Sequence, residues 1–227
     1  MSTLTDLLHP FAISLQKKTT RLLPGVAVAA AAALSVMALW DAVRNALAPS
    51  GTLPWGPSRE PELIVRGVSL LHGVAYLLLA SVLAKFGRLI DGDSRALPWL
   101  RRILAACYLI MGLPFLASGL LAVNLATDAP AWAQIAISVA FLGTFVAAIP
   151  TGLLLRRHQL QLAGWLLASP VVILPLTMLL DSVSRWGHPA YLESAVNTGA
   201  ALLGFTASRK QQQLDGNGDF RVDEPES

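Results

Sequence analysis

Charge is what this chain has least of. Only 14% of its 227 residues are Asp, Glu, Lys or Arg, against 54% that are hydrophobic; a soluble domain carries roughly 25% and 45–50%. So few charges cannot cover a folded chain of this size without leaving large apolar patches in water. Cysteine is nearly missing as well. Cys107, the single one, sits in an apolar run; this excludes an intramolecular disulfide and a thiolate metal cluster, and it reads as a small buried hydrophobe. The catalytic patterns His-Glu-x-x-His, the Gly-rich phosphate loop and Gly-x-Ser-x-Gly are all lacking. Of the histidines His9, His72, His158 and His188, only His72 lies inside a long apolar run, so a bis-histidine haem lacks its second ligand. These gaps exclude a soluble enzyme, a disordered chain and a disulfide scaffold. The expectation is a non-enzymatic protein with no cofactor.

What the chain does have is long apolar runs, with a mean hydropathy of +0.57. They cover 22–40, 67–84, 103–123, 131–155, 162–180 and 190–207, each near the ~20 residues that a bilayer requires of a helix. This predicts an all-α fold, a polytopic integral membrane bundle with six transmembrane helices. The sixth run is the most polar, because Glu193 and Asn197 stand in its first half. An acid within a membrane is costly unless it is paired or interfacial. Ahead of the first run, Leu4, Leu7, Leu8, Phe11 and Leu15 recur at helical spacing and Lys17, Lys18 and Arg21 follow. Residues 1–21 therefore read as an amphipathic segment on the cytoplasmic surface, and the first run as an uncleaved span.

The basic residues orient the bundle. Lys17, Lys18, Arg21, Lys85, Arg88, Arg95, Arg101, Arg102, Arg156, Arg157, Arg209, Lys210 and Arg221 fall on one side of the six runs; Arg44, Arg59, Arg66 and Arg185 fall on the other. Lysine and arginine are retained on the cytoplasmic side, which predicts N-in/C-in. Trp40, Trp55, Trp132 and Trp186 then mark outer ends and Trp99 an inner one. A net charge of +3 placed at the ends of apolar spans points to the lipid bilayer as partner rather than to nucleic acid. A homo-oligomer, a hetero-oligomer and a soluble partner all stay open. Thirteen arginines against four lysines, with abundant alanine, suit a GC-rich bacterial genome and hence an inner membrane.

The candidate functional residues gather near the predicted outer face: Asp41, Arg66, His72, Asp181, Arg185 and Glu193. Asp41 with Arg44 is spaced i,i+3 and Asp181 with Arg185 i,i+4, so each pair can meet along its own helix. His72 is six residues beyond Arg66, about 9 Å along a helix axis. One reading is an outward-facing polar vestibule in which His72 titrates against Asp41 or Glu193. The other is a set of interfacial charges in headgroup water, with His72 bonded to a neighbouring helix. Pro170 and Pro175 make the fifth run the best candidate for a discontinuous helix, and Pro114 and Pro150 interrupt the third and fourth.

The C-terminal stretch 215–226, DGNGDFRVDEPE, resembles an EF-hand calcium loop over its 12 residues. Asp215, Asn217, Asp219, Asp223 and Glu226 take positions 1, 3, 5, 9 and 12, with Val222 at the apolar position 8. Phe220 stands where the loop needs glycine for its sharp turn. The expectation for 208–227 is a disordered acidic cytoplasmic tail and no metal site. Two functional classes follow for the chain as a whole. One is a membrane component working through helix and partner contacts; the other is a small secondary transporter or permease subunit. The scarcity of charge at the midplane favours the first.

Overall fold

The structure is a computed structural model that describes residues 22–40, 43, 62–86, 94–121, 130–155, 160–183 and 190–218. All seven elements among them are helices: α1 (Leu22–Trp40), α2 (Glu62–Phe86), α3 (Leu97–Leu121), α4 (Ala131–Leu155), α5 (Gln161–Ala168), α6 (Pro170–Val183) and α7 (Ala190–Gly218). Helices α1 to α4 are each long and apolar enough to cross a membrane, and α5 with α6 makes a fifth such unit bent by 42°. The predicted fourth run, 131–155, coincides with α4. Helix α7 falls short of that apolarity because of the polar residues in its first turns.

The helices close into a ring. Helix α2 packs against α3, α3 against α4, α4 against α5, α5 against α7, and α7 returns to α2. Helix α6 lies against α7 and touches α4 and α5, while α1 meets α2 and α7 through Ala27, Val82 and Ala207. Directions follow from the contacts. Leu70 meets Gly119 and Leu77 meets Gly112, so α2 and α3 run antiparallel; Tyr76 meets Glu193 and Val82 meets Gly204, so α2 and α7 run parallel.

Glycine makes the closest of these approaches. A Cβ on Gly73 would stand 2.5 Å from the backbone nitrogen of Leu116, a distance that only a displaced helix could relieve. Small residues of this kind allow helix backbones to meet where dispersion, rather than water exclusion, holds the pair. The interior behind them is apolar and nearly continuous from Ala31 and Leu34 through Leu79, Leu104 and Met111 to Leu203. The outward faces are apolar too. On α4, Trp132, Ile135, Val139, Leu142 and Val146 are all exposed, the last by 72%. No water-facing monomer maintains such a stripe, whereas hydrocarbon solvates it without cost.

Three sequence expectations change. Helix α3 begins at Leu97 rather than 103, and its second turn carries Arg101, which is only 4% exposed. Ser94 Oγ accepts from the Leu97 N–H at 3.3 Å and so caps the helix start. Second, α7 continues to Gly218, so helix covers 208–218, where a disordered tail was expected. Lys210, Gln211, Gln212, Gln213 and Leu214 are all good helix formers and extend the last turns. Asp215 and Asn217 therefore lie on helical backbone, not on a calcium loop. Asp219, Asp223 and Glu226 are outside the described residues, as are residues 1–21. Third, the fifth run breaks at one proline only. Pro170 opens α6 without an N–H to offer, and the preceding Ser169 donates its hydroxyl to the Leu166 carbonyl at 2.7 Å. Pro175, Pro114 and Pro150 are accommodated within continuous helices.

Candidate functional site

A network of polar side chains joins α2, α3 and α7. On α7, Glu193 and Asn197 are one turn apart and face the same way, the i,i+4 relation that puts two side chains above one another. On α2, His72 and Tyr76 have the same spacing. Helix α3 supplies Tyr108 and Phe115. The Tyr76 hydroxyl donates to Glu193 Oε1, and Asn197 Nδ2 donates to the same oxygen at 3.4 Å. The Tyr108 hydroxyl donates to Asn197 Oδ1 at 2.8 Å. The chain Tyr108–Asn197–Glu193–Tyr76 thus ties three helices together, with Tyr76 and Asn197 donating to the carboxylate and Tyr108 to the amide oxygen of Asn197. A carboxylate in the first turn of α7 is also favoured by the positive end of that helix.

Aromatic rings wall this network. His72 stacks on Phe115 with centroids 5.4 Å apart and meets Tyr76 edge-on at 5.9 Å. Tyr76 also contacts Phe115 at 5.8 Å and Tyr108 at 5.9 Å. The His72 Nδ1 sits 2.9 Å from the Val68 carbonyl of its own helix, so that nitrogen is the protonated one. Beside the network, Ser35 Oγ of α1 lies 3.3 Å from Thr198 Oγ1 of α7. Among the described residues no buried side-chain nitrogen or oxygen lacks a hydrogen-bond partner. None of them form a group of three or more His, Cys, Asp or Glu side chains that could hold a metal.

Of the residues expected at the outer face, His72 and Glu193 each contact Tyr76, the first edge-on and the second as acceptor of its hydroxyl. Arg66 serves another purpose. Its Nε donates to the Gly119 carbonyl at 3.2 Å and a terminal nitrogen lies 3.4 Å from the Leu120 carbonyl, so it caps the last turn of α3. At the opposite end, Arg101 of α3 donates to the Leu83 carbonyl in the last turn of α2 at 2.8 Å. Each helix of the α2–α3 pair thus has an arginine as its fifth residue that bonds the closing turn of the other, which is also where the helix dipole is negative. Asp41 and Arg185 lie outside the described residues, and of Asp181 only the helical backbone is described.

Tyr76, Tyr108 and Asn197 were not among the expected site residues. Tyrosine in an apolar run reads as ordinary aromatic packing. The paired i,i+4 spacing, His72 with Tyr76 and Glu193 with Asn197, could have found two of them; Tyr108 has no such local signal. Comparison with protein-family models, with curated proteins and with solved structures finds no match for this chain.

Proposed function

We propose that this chain is a non-enzymatic component of a bacterial inner membrane, crossing it six times with both termini in the cytoplasm and acting through contacts between helices and with partners. The observation that carries the reading is the internally paired network Tyr108–Asn197–Glu193–Tyr76. Its polar groups are directed at one another across α2, α3 and α7, as expected of groups that hold a bundle together. The sixth crossing draws support from α7 itself, which runs beside α2 from Glu193 to Gly204. A helix that spans the same depth as an apolar neighbour, with its acid at one end and paired, incurs little of the usual penalty.

Reporter fusions at residues 127 and 212 test the topology. An outside signal at 127 with an inside signal at 212 is the expected pattern; an outside signal at 212 removes the sixth crossing. A second reading, a small secondary transporter with an outward-facing vestibule, is favoured by one observation, the contact of both His72 and Glu193 with Tyr76. His72→Ala separates the two. A change in solute uptake at unchanged expression supports transport, whereas lowered stability alone supports the component reading.

A further inference from the structure

The end of the ring opposite Glu193 carries a different feature. There the closing turns of α2, the middle turns of α7 and the opening turns of α3 lie at one level, because α2 runs antiparallel to α3 and parallel to α7. Arg102 holds its guanidinium 5.3 Å from the centre of the Trp99 ring, and Arg209 holds its own 4.9 Å from that of Phe205. Arg102, Arg209, Arg95, Lys85 and Lys210 are all exposed, and Trp99 is exposed by 65%. Between Lys85 and Arg102 the chain carries five basic residues against the two acids Asp91 and Asp93. Exposed apolar surface resumes one turn further along α3 at Ile103 and Leu109.

We propose that this basic rim binds the headgroups of anionic phospholipids, with Arg102–Trp99 and Arg209–Phe205 as its two anchoring pairs. The partner must satisfy two chemistries at one level, a phosphate for the guanidinium and an apolar body for the ring and for the aliphatic surface beside it. An anionic lipid carries both on one molecule, its phosphate at the level of the guanidinium groups and its acyl chains alongside the exposed Ile103 and Leu109. Stacking on a ring orders each arginine before the ligand arrives, and the planar guanidinium then meets phosphate with two parallel donors. Tryptophan at the boundary between hydrocarbon and headgroups fits the same depth. The inference rests on the membrane reading above and deepens it.

The test uses the full chain in nanodiscs of phosphatidylcholine alone, or of phosphatidylcholine doped with phosphatidylglycerol, and reads thermal midpoint and the phosphatidylglycerol retained in native mass spectra. Phosphatidylglycerol should raise the midpoint at low salt, with the gain shrinking as salt screens it. Replacing both anchors, Arg102→Gln with Arg209→Gln, should cut retention by about fivefold for each charge removed. Arg102→Lys with Arg209→Lys should retain more than the glutamines and less than the arginines, and Arg95→Gln should lower retention on its own. Equal retention by wild type and the double glutamine variant overturns the proposal, as does a midpoint gain that inorganic phosphate reproduces without lipid. A chain that enters neither disc overturns the membrane reading instead.

Discussion

The two ends of the helical ring use polar residues in different ways. At the end holding Glu193, polar side chains turn inward. Tyr76 and Asn197 donate to the Glu193 carboxylate and Tyr108 donates to Asn197, and Arg66 is taken up by the closing carbonyls of α3. At the other end Arg101 turns inward, to Leu83, while Arg95, Arg102, Arg209 and Lys210 are exposed. An inward polar group is bound by the geometry of its partners, so its loss disturbs helix packing. An outward basic group answers to whatever lies outside, so its loss changes association and leaves the fold nearly untouched. The same element, arginine, therefore has opposite meanings at Arg101 and at its neighbour Arg102.

Substitutions can sharpen or break that contrast, each read by reversible unfolding in mixed micelles. The largest effect is expected from Gly73→Val, which forces a side chain onto the Leu116 backbone and should cost about 3 kcal/mol or more; a loss under about 1 kcal/mol would show that α2 and α3 do not meet as closely as described. Arg101→Met should follow at about 2 kcal/mol, since the Leu83 carbonyl loses a buried charged donor. Asn197→Ala should cost about 2 kcal/mol as well, because it strands the Tyr108 hydroxyl and leaves a small void between α3 and α7. Tyr108→Phe removes one interhelical hydrogen bond while keeping the ring, and about 1 kcal/mol is expected. Arg102→Gln should change stability by no more than about 0.5 kcal/mol in a neutral detergent. A loss at Arg102 as large as that at Arg101 would erase the distinction between the two ends.

Much of the architecture is legible in the residues. Apolar runs of the right length place α1 to α4, and α4 spans the predicted 131–155. Pro170 marks the break in the fifth run because it removes a donor that the preceding helix needs. What escaped is partnership. Charge patterning puts Arg101 and Arg102 together in an inner loop, yet one is buried within α3 and the other is exposed. The carbonyl that Arg101 reaches, that of Leu83, is 18 residues away in the chain. Arg66 likewise reads as part of a charge cluster although its bonds go to backbone. Glu193 and Asn197 register as a cost to the last span; the tyrosines that offset this cost stand 117 and 89 residues distant. The helical continuation to Gly218 is local, readable from Lys210 to Leu214, but the acidic glycine-containing sequence after it suggested disorder.

The parallel pairing of α7 with α2 bears on the order of events at synthesis. Helix α7 is the least apolar of the long helices, so hydrocarbon alone gives it little reason to stay. Its carboxylate and amide accept from Tyr76 and Tyr108, which stand 117 and 89 residues earlier in the chain. A chain stopped before Ala190 would lack the acceptors of both tyrosine hydroxyls and leave them facing apolar surroundings, at the cost of two unmade hydrogen bonds.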